Sequence, residues 1–247
     1  MGCIVCGMNE NQETRIPHHD RARRRPDGPH PGIIAAVCLG LFVASLVALA
    51  ALSHGGTLSS PFSDDSADFY TRHGLAVRIS AWLQLGSSVP LGIYAATMSS
   101  RLQRLGMKVP GPVIALFGGA SASIMLALSA ILTWTAGQDD VAALPELSRA
   151  LGFIAFGTGG FAHVLGLGLL VAGIAVPSLI RHLLPTPLAW AGLVIAALCE
   201  LTVLAMVIEP LQPLIPIGRF AALIWIVAAG FLMPRTRHQR NTTKETP

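Results

Sequence analysis

Apolar residues along this chain gather in six long, nearly continuous runs, without the alternation that predicts strands. A helix needs about 20 apolar residues to cross a hydrocarbon layer of about 30 Å, and each run reaches that length. A membrane barrel would need short alternating strands instead. The pattern therefore predicts an all-α polytopic membrane protein, a bundle of six transmembrane helices. The predicted spans are about 33–53, 75–98, 111–136, 150–176, 186–208 and 214–233.

The polar segments predict one transmembrane domain at 32–234 with a tail on either side. Residues 1–31 are rich in Pro and Arg and have no apolar period, and residues 235–247 are similar, so both tails are expected to be disordered and cytoplasmic. Most linkers between the runs are short, which places successive helices side by side and antiparallel. The sequence leaves open whether Met1 or Met8 is the true start.

Small residues and one proline predict local features of the helices. Helix association in lipid depends on close backbone approach at small residues, and the fourth run, with seven glycines between 152 and 173, is expected to be the most closely packed. Pro90 lies inside the second run and removes a backbone hydrogen bond to the carbonyl of Gly86. Ser87 and Ser88 stand beside it as substitute partners. A helix kink is predicted there.

Composition and charge placement agree with a membrane location. The chain is 52% hydrophobic and 12% charged, whereas a soluble domain carries about a quarter charged residues. The net charge of +4 does not indicate nucleic acid, because 13 of the 17 Lys and Arg lie in the tails and in alternate linkers. They are Arg15, Arg21, Arg23, Arg24, Arg25, Arg101, Arg104, Lys108, Arg181, Arg235, Arg237, Arg240 and Lys244.

The positive-inside rule predicts the orientation of the protein in the membrane from this uneven placement of Lys and Arg. Both termini are predicted to be cytoplasmic, in a multi-pass protein of the bacterial inner membrane. The predicted surroundings are the lipid bilayer, with anionic lipid as a partner of Arg21, Arg23, Arg24 and Arg25.

Polar side chains inside the runs are the candidates for function, because ionisable groups in lipid are costly. At about 1.5 Å of rise per residue, Glu200, Arg219 and Gln84 fall roughly 4 to 7 Å outward of the middle of their spans. His163 falls at the centre of the fourth span, and Arg78 lies about 13 Å out, where it can reach the surface. We therefore predict an intramembrane polar cluster of these five residues.

The sequence leaves two interpretations of this cluster open. The short linker between the fifth and sixth spans makes Glu200 and Arg219 expected neighbours, and a buried pair would fix helix register while adding little net stability. In the functional alternative, Glu200 is a proton- or cation-binding carboxylate at an outward cavity, with Arg219 tuning it or holding an anion. His163 alone is more typical of a hydrogen-bonded core histidine.

The sequence does not match the residue patterns expected for a cofactor site or a catalytic site. Haem between helices needs axial ligands from facing spans, and His163 is the only histidine at mid-span. Cys3 and Cys6 have the spacing of half a zinc site, but the nearest further ligands, His18 and His19, lie in the tail. A rhomboid-type protease needs a serine that the fourth run lacks. The sequence predicts no cofactor, no metal and no enzymatic activity.

Three segments carry a family resemblance: residues 78–84 (RISAWLQ) leading to 90–92 (PLG), residues 187–193 (PLAWAGL), and the terminal segment 225–234. Over about residues 70–236 the chain resembles uncharacterised bacterial six-helix integral membrane proteins. That resemblance implies a bacterial inner membrane location and carries no assigned activity.

Two functional hypotheses follow. The first is a small-solute or proton-coupled transporter or sensor that uses the intramembrane polar cluster. The alternative is a structural or regulatory membrane protein that acts through its basic cytoplasmic N-terminal tail.

Overall fold

The computed structural model describes residues 30–54, 66–107 and 109–234, and within them every regular element is helical. The all-α class is therefore confirmed. The tail residues named above, with their cysteine, histidine and arginine sites and both candidate starts, lie outside the described residues. The elements are α1 (Pro31–Leu52), α2 (Ser66–Arg104), α3 (Gly111–Ala136), α4 (Asp139–Ala142), α5 (Pro145–Phe156), a π-helical segment (Gly157–Ala162), α6 (His163–Arg181), α7 (Thr186–Leu201), 3₁₀ turns at Thr202–Met206 and Glu209–Leu211, and α8 (Leu214–Leu232).

Five helices among the described residues are long and apolar enough to cross a membrane, which is what a membrane protein requires. They are Pro31–Leu52, Gly111–Ala136, Pro145–Arg181, Thr186–Met206 and Glu209–Leu232. The predicted second span is not among them. It lies in α2, which has 39 residues and is long enough to cross, but Arg78, Gln84 and several serines lower its mean hydropathy.

The long helices form a closed ring. Neighbours pack in the order α1, α2, α3, α6, α7 and α8, and α8 returns to pack against α1. Short connections favour this order, because a short connection places two successive helices side by side. The ring puts residues of α1, α6 and α8 within reach of one another although they are far apart in sequence.

The continuous helix formed by α5, the π-helical segment and α6 is the most buried of the five, as predicted. In its most apolar 18-residue stretch 67% of residues are buried, against 28 to 44% in the others. Glycines explain this burial: a Cβ on Gly118 of α3 would stand 2.5 Å from the backbone nitrogen of Leu170, and one on Gly166 of α6 would stand 2.7 Å from that of Ala122. Only glycine permits these two backbones to approach so closely.

The kink predicted at Pro90 stays a prediction, since no bend angle of the helix axis is known there. The break from helical dihedral angles in α2 lies at His73 (φ −126°, ψ 29°), near the start of the helix. The two serines do not replace the lost bond to Gly86. Ser87 donates to the carbonyl of Cys38 on α1 (2.8 Å), and Ser88 donates to that of Leu85 (2.7 Å). Ser87 therefore joins α2 to α1, and Ser88 bonds within its own helix.

Candidate functional site

The π-helical segment is the centre of the candidate site. A π turn closes i→i+5 hydrogen bonds and leaves one carbonyl of the ordinary helical series unused, and such turns are frequent at functional sites. Here the backbone N–H of His163 bonds to the carbonyls of Thr158 and Gly160. The carbonyl of Gly159 between them does not accept from this N–H. Three glycines in this segment, with their low helix propensity, make the departure from α-helix easy.

Arg219 of α8 binds the carbonyl of Gly159. Its guanidinium donates a hydrogen bond from Nη2 to the oxygen of Gly159 and lies 5.3 Å from the ring centroid of Phe42 on α1, within cation–π range. Its Nε–H is buried and has no hydrogen-bond partner among the described residues. The side chain thus links three helices and retains a buried donor at Nε.

His163 begins α6 and is fully buried. Its Nδ1 lies 2.8 Å from the carbonyl oxygen of Ala122 on α3. A carbonyl only accepts, so Nδ1 carries the proton, and in the neutral ring Nε2 is then an acceptor. Nε2 is buried and unpartnered among the described residues, and His163 stands one helical turn after Gly159, whose carbonyl binds Arg219. The structure therefore places an unused acceptor one turn from the carbonyl that holds the unused donor's side chain.

Gln84 of α2 approaches the same segment from the other side. Its Nε2 lies 3.9 Å from the point where a Cβ on Gly159 would stand. Gln84, His163 and Arg219 therefore converge on the π-helical segment, as three of the five predicted cluster members. We call these residues, together with Gly159 and Phe42, the inner polar site.

Glu200 lies apart from the inner polar site. Its side chain is exposed, and Oε1 lies 3.0 Å from the position of a Cβ on Gly168 of α6. Within the described residues it forms no ion pair with Arg219. The contact between α7 and α8 runs through Cys199 Sγ and the carbonyl of Gly218, 3.5 Å apart. Glu200 follows Cys199 in the chain, and its side chain lies against the surface of α6. Arg219 follows Gly218, and its side chain points into the bundle.

Arg78 is also separate. Its Nη1 lies 3.8 Å from Oδ1 of Asp139, whose side chain is 86% exposed. This long, solvated pair ties α2 to the short helix α4 at the end of the bundle where α3 ends, and exposed charged pairs contribute little.

Sequence reasoning missed Gly159 and Phe42. The Gly157-Thr158-Gly159-Gly160 run was a usable signal for a π turn, because so many glycines rarely stand in one turn of an ordinary helix. Phe42 gave no signal, since an aromatic residue in an apolar run looks the same whether it faces lipid or a guanidinium.

No protein-family model matches the chain, and neither a curated protein nor a solved structure matches it. Among the described residues no three His, Cys, Asp or Glu side chains are grouped so as to hold a metal ion. The resemblance to bacterial six-helix membrane proteins stays a prediction, and the chemistry must be argued from the inner polar site itself.

Proposed function

We propose that this chain is a membrane protein that binds a small solute at the inner polar site, as a transporter or sensor. One observation carries the proposal: His163 Nε2 and Arg219 Nε–H are buried, complementary and unpartnered among the described residues. A buried polar group without a partner costs about 1–3 kcal/mol, and more when it is charged. Native proteins retain few such groups, and those retained call for an explanation.

A bound solute that accepts from Arg219 and donates to His163 satisfies both atoms at once. The surrounding geometry supports a preorganised site, because each polar side chain is held by a bond made at its other end. Arg219 is fixed by the Gly159 carbonyl and His163 by the Ala122 carbonyl. Rigid placement of this kind lowers the entropy cost of binding.

The proposal includes α2 as a sixth span. Its polar residues Ser80, Ser87 and Ser88 are buried, and the hydroxyl of buried Tyr94 donates to the carbonyl of Ile226 on α8 (2.9 Å). These groups face protein rather than lipid, so a span with lower overall apolarity is tolerated.

We further propose that both termini lie in the cytoplasm of a bacterial inner membrane. The last turns of α2 and α6 carry Arg101, Arg104 and Arg181, which the positive-inside rule assigns to the cytoplasmic face. A reporter active only in the periplasm, fused after residue 247, is expected to be inactive. A second fusion in the 139–144 segment is expected to be active, and the reverse pattern would reverse the orientation.

Arg219→Met tests the solute-binding role against a structural one. A panel of acetate, inorganic phosphate, glycine and glycerol is titrated against the purified protein in nanodiscs, and the shift in unfolding temperature is measured. We expect at least one solute to stabilise the wild type and none to stabilise the variant.

The two roles also differ in the stability of the variant without solute. Replacing a buried charge that lacks an ionic partner by an apolar side chain is often neutral or stabilising, so the binding role predicts a change within about 1 kcal/mol. If Arg219 has only a structural role in linking the helices, the variant is expected to be clearly less stable. That result, together with the absence of a stabilising solute, would refute the proposal.

A further inference from the structure

The inner polar site carries a positive charge that the described part of the chain does not balance. The partners of the Arg219 guanidinium are the Gly159 carbonyl and the Phe42 ring, and both are uncharged. Glu200, the acid that the sequence predicts as the partner of Arg219, is exposed at the surface of α6. Removing an ionised group from water is expensive unless an opposite charge accompanies it. A solute with a negative charge therefore fits this site better than a neutral one.

The lone pair on His163 Nε2 sets a second condition. An anion that accepts from Arg219 Nε–H brings its own lone pairs toward this acceptor, and two acceptors repel unless a proton stands between them. The proton has two possible positions, on the bound solute or on Nε2. Both give the same stoichiometry, one anion and one proton bound together.

The number of buried donors and acceptors in the site indicates which kind of anion it binds. The two fully buried side-chain atoms of the site that have no partner among the described residues are one donor and one acceptor. A carboxyl group matches them, because one oxygen accepts from Arg219 while the other shares the proton with His163. Phosphate carries more charge than the one guanidinium of the site balances.

We infer that the inner polar site binds a small carboxylate together with one proton; this rests on the proposed solute-binding function and names its substrate class. The proton comes from the aqueous phase on the outer side and returns to water when the carboxylate leaves. No bond other than those to this proton forms or breaks. The bound carboxylate lies between the guanidinium and Nε2, so Arg219 gains an anionic partner while the imidazole shares the proton.

The groups around His163 support its assignment as the proton's partner. α2 contributes the amide of Gln84, α3 contributes backbone and hydroxyl groups, and α8 contributes Arg219, whose guanidinium stays protonated. On α1 and α7 the other titratable side chains are Cys38, Cys199 and Glu200. On α2 they are Asp68, Tyr70, Arg72, His73, Arg78, Tyr94, Arg101 and Arg104, of which Tyr94 donates to the carbonyl of Ile226 and Arg78 pairs with Asp139. The two thiols are buried beside Ser87 and Gly218, and Glu200 is exposed on the other side of the contact between α7 and α8.

Calorimetric titration of the wild-type protein in nanodiscs with sodium acetate and with sodium propionate tests the inference. The pH is kept where both acids are ionised in solution, and two buffers with different ionisation enthalpies report the protons taken up. We expect about one proton per carboxylate and a Kd that rises about tenfold for each unit of pH increase. Inorganic phosphate is the comparison anion and is expected to bind more weakly.

His163→Asn removes Nε2 while its side-chain amide can still donate to the Ala122 carbonyl. We expect proton uptake to fall from one to about zero and the carboxylate Kd to become nearly independent of pH. Glu200→Gln is the matched control, a charge-removing change at similar depth outside the site, and one proton per carboxylate is expected to remain.

The possible results of these titrations refute different parts of the inference. Carboxylate binding without proton uptake, or unchanged uptake in His163→Asn, overturns the proton coupling and leaves solute binding intact. Loss of uptake in Glu200→Gln moves the proton away from His163 and also overturns the assignment. Binding of glycerol or phosphate in preference to both carboxylates overturns the substrate class alone. If none of these solutes binds to the wild type, the proposed function fails as well.

Discussion

Gly166→Ala tests how far the inner polar site depends on close packing between α3 and α6. A Cβ at Gly166 would stand 2.7 Å from the nitrogen and 3.0 Å from the Cα of Ala122, and 2.8 Å from the carbonyl oxygen of Gly118. All three atoms belong to backbone, so no side chain can rotate away. The helices must separate by about 0.7 Å before the shortest contact reaches an ordinary 3.4 Å.

The magnitude follows from these contacts. Overpacking of a close-packed interior costs about 1–3 kcal/mol, and alanine recovers up to about 1 kcal/mol over glycine through helix propensity. The bond from His163 to the Ala122 carbonyl, now 2.8 Å, lies at the same place and lengthens as the helices separate. An interhelical hydrogen bond in a membrane protein is worth about 0.6 kcal/mol. We expect a net loss of about 1–2 kcal/mol in the free energy of unfolding.

Reversible unfolding in mixed micelles, followed by circular dichroism, measures this loss, and carboxylate titration of the same variant reports the site. Gly40→Ala is the control, because no atom outside its own helix lies within 4 Å of the added Cβ. It should leave stability unchanged or raise it by up to about 1 kcal/mol through helix propensity. Equal stability of the two variants would refute the close approach of α3 and α6.

Two further substitutions test contacts outside the site. Tyr94→Phe removes the hydroxyl that joins α2 to the Ile226 carbonyl of α8, and we expect the free energy of unfolding to fall by about 0.6 kcal/mol; no loss would mean that this interhelical bond is not formed. Arg78→Gln removes a 3.8 Å ion pair with exposed Asp139, and we expect a loss below about 1 kcal/mol that disappears at high salt. A salt-independent loss above that value would show that the pair is buried.

Much of the fold could be predicted because its determinants are local. Long apolar runs decide where helices form, and prolines at the first helical positions of α1, α3, α5 and α7 mark their starts. The close packing of the fourth span followed from its glycines. The second span was harder, because its polar residues reduce its apolarity in sequence while the bundle buries several of them.

The candidate site was predicted in part. Depth along each span placed Gln84, His163 and Arg219 together, because rise per residue is nearly constant in a helix. The direction in which a side chain leaves its helix depends on how neighbouring helices are rotated. For that reason the expected pair of Glu200 and Arg219 does not form, although the two residues flank one contact between α7 and α8.

The sequence by itself determined the helical class, the depth of each polar residue and the asymmetry of charge between linkers, because these depend on composition and on distance along the chain. Only the tertiary structure decided which polar atoms meet. The ring of helices directs Arg219 inward to a carbonyl of the π-helical segment, leaves His163 with an unused acceptor, and turns Glu200 outward. These contacts join residues 60 or 41 positions apart, such as Arg219 with Gly159 and His163 with Ala122. Helix rotation and packing, which no local pattern encodes, bring them together.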